Sequence, residues 1–316
     1  MKILFADSNH AILHETLINF GFTCDLFWDK TANDLISILP NYDALVIRSK
    51  FKLTKEIMAN CPKLKCIGRV GAGMENIDLE YAATQKITCL SVPEGNRDAL
   101  GEHAIAMLLM LFTKLKKADA EVRKGIWLRA ENRGYEIKDK TIGIIGYGNM
   151  GSSFAKKLSG FECKILAYDK YISGFGNTDT YVTEANLDQI FDECDVLSLH
   201  VPLTKETEFL IDSNFINKFK KNIYIINTAR GKCLKTADLV LAMEQKKVIG
   251  ACLDVIEYED VSFEELKTKN IPEPLNYLFQ SDRVILSPHI GGWTHESNFK
   301  MSKLMAEKII GIFKAV

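Results

Sequence analysis

The chain has 316 residues, 47% hydrophobic and 26% charged, so it can bury a large core and is predicted to form two domains. Its net charge of −1 attracts neither nucleic acid nor a membrane globally, so any anion must be recognised by locally placed arginines. The longest apolar run, residues 104–112, is too short to cross a bilayer, and residues 1–7 resemble a first strand rather than a signal peptide, which predicts a cytoplasmic protein. Eight cysteines without C-x-x-C or His-rich spacing indicate reduced thiols and no metal site.

The N-terminal part alternates short apolar runs with amphipathic segments, which is typical of a parallel open sheet. Its strands are predicted at residues 2–6, 44–47, 66–70 and 88–92. Ligands of such sheets bind outside the carboxyl ends of the strands. Arg48 follows the second strand. Residues 69–73, Arg-Val-Gly-Ala-Gly, follow the third, and their backbone N–H groups could bind a carboxylate; an ordinary strand-to-helix turn is the alternative.

A polar segment, residues 94–98, precedes a long helical pattern over residues 99–122, and we interpret it as a hinge between domains. Residues 104–112 of the helix are apolar on nearly all sides. Such a helix is expected between domains or subunits, and this favours a homodimer. Arg129 follows in a polar segment, where a solvated loop charge is the simpler interpretation.

The central motif of the chain is a strand, three glycines in G-x-G-x-x-G spacing, a helix and a second strand. These parts are residues 141–145, Gly146, Gly148, Gly151, residues 152–158 and residues 163–168. The glycines allow a tight turn, close approach of a pyrophosphate and close helix packing, and the helix N-terminus supplies free N–H groups. The alternative is a loop that binds no nucleotide. It is disfavoured because the strand, glycines, helix and second strand all occur in the order and spacing of the motif.

Asp169 ends the second strand, 21 residues after Gly148. A carboxylate there can accept hydrogen bonds from both hydroxyls of an adenosine ribose and would repel a 2′-phosphate. The motif therefore predicts NAD rather than NADP as the cofactor.

The alternation resumes after Asp169 and predicts a second doubly wound sheet. Strands are predicted at residues 196–199, 223–226, 249–253 and 283–287, with helices from residue 213 and at residues 235–245. Polar or small residues follow each strand, and they include His200, Arg230, Asp254 and His289. Four such strand ends predict one crevice for a dinucleotide and its substrate.

Seven ordered segments resemble the D-isomer-specific 2-hydroxyacid dehydrogenase family across essentially the whole chain. They are RVGAGMENID, GNRDALGEH, GIIGYGNMG, HVPLT, NTARG, ACLDVIEYE and SPHIGG. The resemblance implies an α/β fold of two doubly wound parallel-sheet domains with the active site in a cleft. The flavodoxin-like substrate domain would comprise residues 1–94 plus 289–316, and the inserted Rossmann NAD domain residues 95–288.

The resemblance also implies individual roles. Arg230 would bind the substrate carboxylate and carbonyl, His289 would be the acid/base, and Glu259 would hydrogen-bond His289. Expected substrate contacts are Arg48, Ala72, Gly73, Asn96, Arg97 and Arg129. Expected cofactor contacts are Gly146, Gly148, Asn149, Met150, Gly151, Asp169, His200, Val201, Pro202, Thr204, Thr228, Ala229, Asp254 and Gly291. The chain departs from the family at Asp260, where Pro is usual, and in a longer segment over residues 261–280, so a different loop shape is expected there.

The chemistry needs these residue types independently of the resemblance. Hydride addition to a 2-keto acid places negative charge on oxygen, so a proton donor and a fixed cation are required. Imidazolium and guanidinium meet these needs, and a carboxylate beside the imidazole fixes its tautomer and favours its charged form. His200 is expected to shape the cofactor loop. The other histidines are interpreted as surface or helix-packing residues: His10, His14, His103 and His295.

The substrate is inferred from two segments. Residues 45–49 and 127–129 resemble the D-3-phosphoglycerate dehydrogenase branch of the family, in a short form without a regulatory domain, where the Arg matching Arg48 contacts the substrate phosphate. With Arg97 and Arg129, three cations would surround a doubly anionic group, which favours 3-phosphoglycerate oxidation, the first step towards serine. Glyoxylate or hydroxypyruvate reduction and an NAD-sensing corepressor are alternatives. Formate dehydrogenase is disfavoured, because its site resembles one with Gln in place of Glu259.

Overall fold

The computed structural model describes residues 1–28, 31–259 and 271–314. The described residues form two compact units, one of residues 1–96 and 293–314 and the other of residues 97–259 and 271–292. The predicted assignment of residues 1–94 plus 289–316 to substrate and 95–288 to cofactor stays a prediction. Asp260 and the first ten residues of the longer segment over residues 261–280 lie outside the described residues.

Twelve strands and twelve α-helices are found in the described part of the chain. The strands are β1 (Lys2–Phe5), β2 (Thr23–Leu26), β3 (Ala44–Ile47), β4 (Cys66–Arg69), β5 (Thr88–Leu90), β6 (Thr141–Ile145), β7 (Lys164–Tyr168), β8 (Thr183–Glu184), β9 (Val196–Leu199), β10 (Ile223–Asn227), β11 (Val248–Leu253) and β12 (Val284–Leu286). The helices are α1 (Ala11–Asn19), α2 (Ala32–Ile38), α3 (Lys55–Ala59), α4 (Leu79–Thr84), α5 (Pro93–Phe112), α6 (Leu115–Val122), α7 (Asn149–Leu158), α8 (Leu187–Glu193), α9 (Ser213–Asn217), α10 (Thr236–Glu244), α11 (Glu273–Gln280) and α12 (His295–Lys314).

The first unit contains a five-stranded parallel sheet in the order β2-β1-β3-β4-β5. Successive strand residues point to opposite faces, so each strand supplies two apolar clusters. In β1, Ile3 and Phe5 belong to one cluster and Leu4 to the other. Helix α12 covers the first of these faces, where Met301 and Met305 are buried. This order of strands is that of flavodoxin-like doubly wound folds.

The second unit contains a seven-stranded parallel sheet in the order β12-β11-β10-β9-β6-β7-β8. From β8 to β11 this is the strand order of dinucleotide-binding doubly wound folds, with β12 added at the edge. Both faces are covered by apolar clusters, because Ile142 and Ile144 of β6 face one cluster and Ile145 the other. The predicted α/β class with two doubly wound parallel sheets is therefore confirmed.

The helical region after residue 92 differs from its prediction. Residues 94–98, interpreted as a hinge, form the start of α5, whose first residue is Pro93. A proline at the first helical position and an acid in the first turn are typical of a helix start, and this explains the polar composition. The predicted helix over residues 99–122 is interrupted at Lys114, which has the left-handed φ of 54°. No helix among the described residues is long and apolar enough to cross a membrane.

Gly151 sets the distance between α7 and β6. A Cβ atom at this position would collide with the carbonyl oxygen of Gly146 and lie 3.3 Å from Ile144 Cγ2. Because backbone cannot yield as a flexible side chain does, we expect Gly151→Ala to lower the free energy of unfolding by about 1–3 kcal/mol or more. Thermal unfolding measures this loss. Gly160→Ala is the control, since its Cβ would meet nothing within 4 Å. Equal melting temperatures for the two variants would contradict the packing argument.

Candidate active site

The loop between β6 and α7 has the geometry that a pyrophosphate requires. Gly146 has a left-handed φ of 93°, and a Cβ there would lie 2.6 Å from the carbonyl oxygen of His200. Gly148 caps α7 without any side-chain hydrogen bond, and a Cβ at Gly148 would meet nothing within 4 Å. The first N–H groups of α7, beginning with Asn149 and Met150, are therefore available to an anion.

Asp169 follows β7, and backbone donors fix the orientation of its carboxylate. Its Oδ2 accepts a hydrogen bond from the N–H of Tyr147 at 2.7 Å. Its Oδ1 accepts from the N–H groups of Tyr171 and Ile172 at 2.8 and 3.0 Å. A carboxylate has about four acceptor positions, so Asp169 can also accept from a ribose hydroxyl.

His200 follows β9 and carries no charge in the folded protein. Burial lowers the pKa of His200 to about 3 from its ordinary value of 6.5. Its Nε2 lies 2.8 Å from Ser198 Oγ, and its ring packs against Phe154. This agrees with the expected role in shaping the cofactor loop, since the His200 carbonyl oxygen also limits the space at Gly146. The neighbouring loop residues expected to contact the cofactor, Val201, Pro202 and Thr204, follow directly in the chain.

Asp254 lies directly after β11 and is only 2% exposed. Its carboxylate accepts hydrogen bonds from Ser287 Oγ at 2.7 Å and from the N–H groups of Ile290 and Gly291 at 2.8 Å. His103 Nε2 lies 3.3 Å from Asp254 Oδ1. Burial alone would raise the pKa of Asp254, but the hydrogen bonds from His103, Ser287 and the two backbone N–H groups lower it below its ordinary value. Asp254 is therefore a charged support for the turn that carries His289.

His289 and Glu259 form a close pair. His289 Nδ1 lies 3.0 Å from Glu259 Oε2, and both side chains are mostly buried, with 21% and 15% exposure. The backbone of His289 is left-handed, with φ of 58°, and its N–H donates to the Asp254 carbonyl oxygen at 2.8 Å. A non-glycine residue held in this region stores strain, which is common at functional sites.

The turn after β10 positions Arg230. Asn227, which is 1% exposed, accepts a hydrogen bond from the N–H of Ala229 and donates to the carbonyl oxygen of Arg230. Arg230 itself donates from Nη1 to the Ala229 carbonyl oxygen at 2.6 Å. The buried hydroxyl of Thr228 has no hydrogen-bond partner among the described residues. A bound group with donors or acceptors would satisfy this hydroxyl.

In the first unit, Arg48 follows β3 with its backbone held on both sides. Its N–H donates to the Asp7 carboxylate, and its carbonyl oxygen accepts from Asn76 Nδ2 at 3.0 Å. The guanidinium lies 4.3 Å from the ring centroid of Trp293. Burial lowers the pKa of Arg48, and the charge of Asp7 partly offsets this shift.

The other expected substrate contacts are separated among the elements. Ala72 and Gly73 lie in the bend after β4, and the buried Oδ1 of Asn96 has no hydrogen-bond partner among the described residues. Arg97 on α5 and Arg129 after α6 are exposed in the second unit. The structure thus brings Glu259 and His289 together beside the turn that Asp254 holds, and it shows no comparable cluster of Arg97 and Arg129.

Four residues with structural importance were not predicted. His103 and Ser287 support Asp254, Asn227 shapes the turn of Arg230, and Trp293 stacks on Arg48. His103 had been interpreted as a surface or packing residue. Asn227 and Ser287 could have been found from their position at strand ends, whereas nothing in the local sequence of His103 or Trp293 indicates their partners.

The chain matches the family model described as D-isomer specific 2-hydroxyacid dehydrogenase, NAD binding domain, over residues 105–291. It is 33% identical over 316 residues to D-3-phosphoglycerate dehydrogenase of Archaeoglobus fulgidus, covering all of this chain and 58% of that protein. It is 35% identical to glyoxylate reductase of Thermococcus litoralis, covering 89% of this chain and 83% of that protein. The chain therefore spans little more than half the length of the first two phosphoglycerate dehydrogenases that it matches.

A solved structure with a similar fold is D-lactate dehydrogenase from Aquifex aeolicus, complexed with NAD and lactic acid. The TM-score is 0.84 and the sequence identity 27%, over 100% of this chain and 96% of that one. The chain thus shares its fold and its NAD-binding domain with enzymes that are named for different substrates.

The low pKa of His200 has a consequence for stability. The unfolded chain binds a proton at this histidine below about pH 6.5, whereas the folded chain does so only near pH 3. The free energy of unfolding should therefore fall with decreasing pH, by roughly 1.6 kcal/mol between pH 6.5 and 5 from this group. His200→Gln should flatten this part of the melting temperature profile. The exposed His295 offers a control, because His295→Gln should keep the wild-type slope. A wild-type slope in His200→Gln would contradict the assignment.

Proposed function

Because the chain belongs to the D-isomer specific 2-hydroxyacid dehydrogenase family, we propose that it interconverts a D-2-hydroxy acid and its 2-keto acid with NAD. The contact of 3.0 Å between His289 and Glu259 carries this proposal, because it couples a proton-transfer group to a carboxylate at the end of a sheet strand. The reduction consumes NADH and one proton and yields the hydroxy acid and NAD⁺.

The residues of the second unit fit NAD. The uncapped N-terminus of α7 suits its pyrophosphate, and Asp169 suits a ribose with free hydroxyls. The buried hydroxyl of Thr228 lacks a protein partner and suits a polar group at the nicotinamide end. When bound, NADH supplies the hydride. The side chains of this protein bind and orient the substrate and exchange the proton.

His289 exchanges that proton through Nε2. Its Nδ1 faces Glu259, so this nitrogen carries a proton in both directions of the reaction and the ring orientation is fixed. In reduction the imidazolium donates from Nε2 to the carbonyl oxygen that becomes the hydroxyl. In oxidation the neutral ring accepts the hydroxyl proton at the same atom. Glu259 stabilises the imidazolium, as a carboxylate within hydrogen-bond distance must.

Arg230 binds the substrate carboxylate and the reacting carbonyl. Its guanidinium is half-buried, and the Asn227 side chain holds the backbone of its turn. A planar guanidinium fixes a carboxylate through two parallel hydrogen bonds and stabilises the charge that grows on the neighbouring oxygen. Lysine would neutralise the charge without fixing the plane of the substrate.

For the substrate we favour 3-phosphoglycerate, with 3-phosphohydroxypyruvate as the product, a step towards serine. Arg48 would bind the phosphate, and the exposed Arg97 and Arg129 are the other two cations that the proposal assigns to the substrate. Glyoxylate or hydroxypyruvate reduction is the second candidate. Asp7 favours it, because this buried carboxylate offsets part of the Arg48 charge that a dianionic phosphate would use.

We also propose a cytoplasmic homodimer. Ile126, Trp127 and Leu128 are consecutive and 42%, 75% and 42% exposed. Three adjacent exposed apolar side chains are typical of a surface that binds another protein. A second copy of this chain is the partner that the apolar pattern of α5 predicts.

The role of Glu259 is tested by Glu259→Gln, which keeps the shape of the side chain and removes its charge. Keto-acid reduction needs protonated His289, so its rate declines at alkaline pH. Without the carboxylate the imidazolium loses a stabilising charge, and the alkaline limb of kcat/KM should move to lower pH. Glu244→Gln, an exposed change on α10, is the matched control. An unmoved limb, measured where chemistry limits the rate, would exclude Glu259 from this role.

The substrate assignment is tested by Arg48→Ala. The loss of one charge-assisted contact, roughly 1.5–3 kcal/mol, should raise KM for phosphohydroxypyruvate by about one to two orders of magnitude. Hydroxypyruvate lacks the phosphate and should be affected far less. Arg123→Ala removes an exposed positive charge as a control. Equal losses on both substrates, or faster wild-type turnover of hydroxypyruvate at matched concentration, would favour the second candidate.

A further inference from the structure

The indole of Trp293 stacks on the guanidinium of Arg48. The distance from Arg48 Cζ to the ring centroid is 4.3 Å, and Trp293 is 66% exposed. The guanidinium donates no hydrogen bond to any described residue, although the Arg48 backbone is fixed at both its N–H and its carbonyl group. Arg48 therefore combines a fixed backbone with side-chain donors from which no described residue accepts a hydrogen bond.

The position of Trp293 is fixed as well. It directly precedes Thr294, whose N–H donates to Ser297 Oγ at 3.0 Å while the N–H of Ser297 donates to Thr294 Oγ1 at 3.0 Å. This reciprocal cap begins α12, and Met301 of the same helix is buried against the first sheet. In the sequence Trp293 follows His289 by four residues. The aromatic ring is thus attached to a rigid helix start close in the chain to the acid/base residue.

An aromatic neighbour orients an arginine differently from an acidic one. A carboxylate would occupy the N–H donors of the guanidinium, whereas a stacked ring contacts only its face. The donors then point away from the ring in the guanidinium plane, which is the direction from which carboxylates and phosphates bind with two hydrogen bonds. Restricting the side chain before binding also reduces the entropy lost when the anion binds.

We propose that Trp293 determines substrate specificity by holding the Arg48 guanidinium in position for an oxyanion of the substrate other than the carboxylate assigned to Arg230. This inference rests on the proposed function. Trp293 acts as a positioning residue, since Arg48 makes the contact with the anion. Asp7 holds the Arg48 backbone through its carboxylate and partly offsets its charge. Recognition therefore depends on the geometry of one guanidinium more than on an excess of positive charge.

Steady-state kinetics test the proposal with a pair of substrates, phosphohydroxypyruvate and glyoxylate, the second of which has no remote group. Trp293→Ala should lower the ratio of their kcat/KM values about 3- to 10-fold, mainly through KM for phosphohydroxypyruvate. Trp293→Phe keeps a ring and should retain most of the ratio. In Arg48→Ala, adding Trp293→Ala should cause no further loss, because the two residues act as one unit. An unchanged ratio in Trp293→Ala, or full additivity in the double variant, would overturn the proposal.

A binding measurement tests the anion subsite separately from the assignment of 3-phosphoglycerate as the substrate. In a Trp28→Phe/Trp127→Phe background, Trp293 is the remaining tryptophan. Titration with inorganic phosphate should change its fluorescence saturably, and Arg48→Ala should abolish the change. If phosphohydroxypyruvate is not reduced but this Arg48-dependent response is present, the phosphate substrate is wrong and the anion subsite stands. A response that is absent, or that persists in Arg48→Ala, would overturn the subsite.

Discussion

The buried carboxylate of Asp254 is the group on which the arrangement of the second unit depends. It accepts hydrogen bonds from Ser287 Oγ and from the N–H groups of Ile290 and Gly291, which offset the cost of burying its charge. The same contacts fix the turn in which His289 has a left-handed backbone. A strained residue persists only where its surroundings determine it, and here one charge ties the end of β11 to the turn after β12.

The proposed acid/base pair depends on this turn. His289 Nδ1 lies 3.0 Å from Glu259 in this conformation, and Asp254 accepts a hydrogen bond from the His289 N–H, so Asp254 supports the proposed proton-transfer group through its backbone. His103 extends the support, because it reaches both Ser287 and Asp254 from α5. Weakening any of these contacts would change the orientation of His289 before it changed the fold of the sheet.

Most strands of both sheets were predicted from the sequence, because strands buried in a parallel sheet are typically short apolar runs bounded by polar residues. It missed β2, whose half-exposed residues Thr23–Leu26 lack such a run, and β8, which has two residues. Residues 94–98, interpreted as a hinge, contain the boundary between the two units after Asn96, but they are helical, because helix starts are polar too. Glu259 and His289 were predicted from motifs and lie in contact. His103 and Trp293 were not, since their partners are more than 150 residues away in sequence, and only folding brings them together.

The two units also divide the chemical requirements. The residues proposed to bind NAD, to hold the keto acid and to exchange the proton are Asp169, Arg230 and His289 of the second unit, whereas Arg48 and Trp293 belong to the first. Chemistry at a 2-keto acid is the same whatever group the rest of the substrate carries. The residues of the second unit can therefore stay constant while those of the first unit change. The proposed division is compatible with one scaffold in relatives named for phosphoglycerate, glyoxylate and lactate. With the proposed roles, a change of substrate would require replacement of Arg48 and Trp293 and no change at His289.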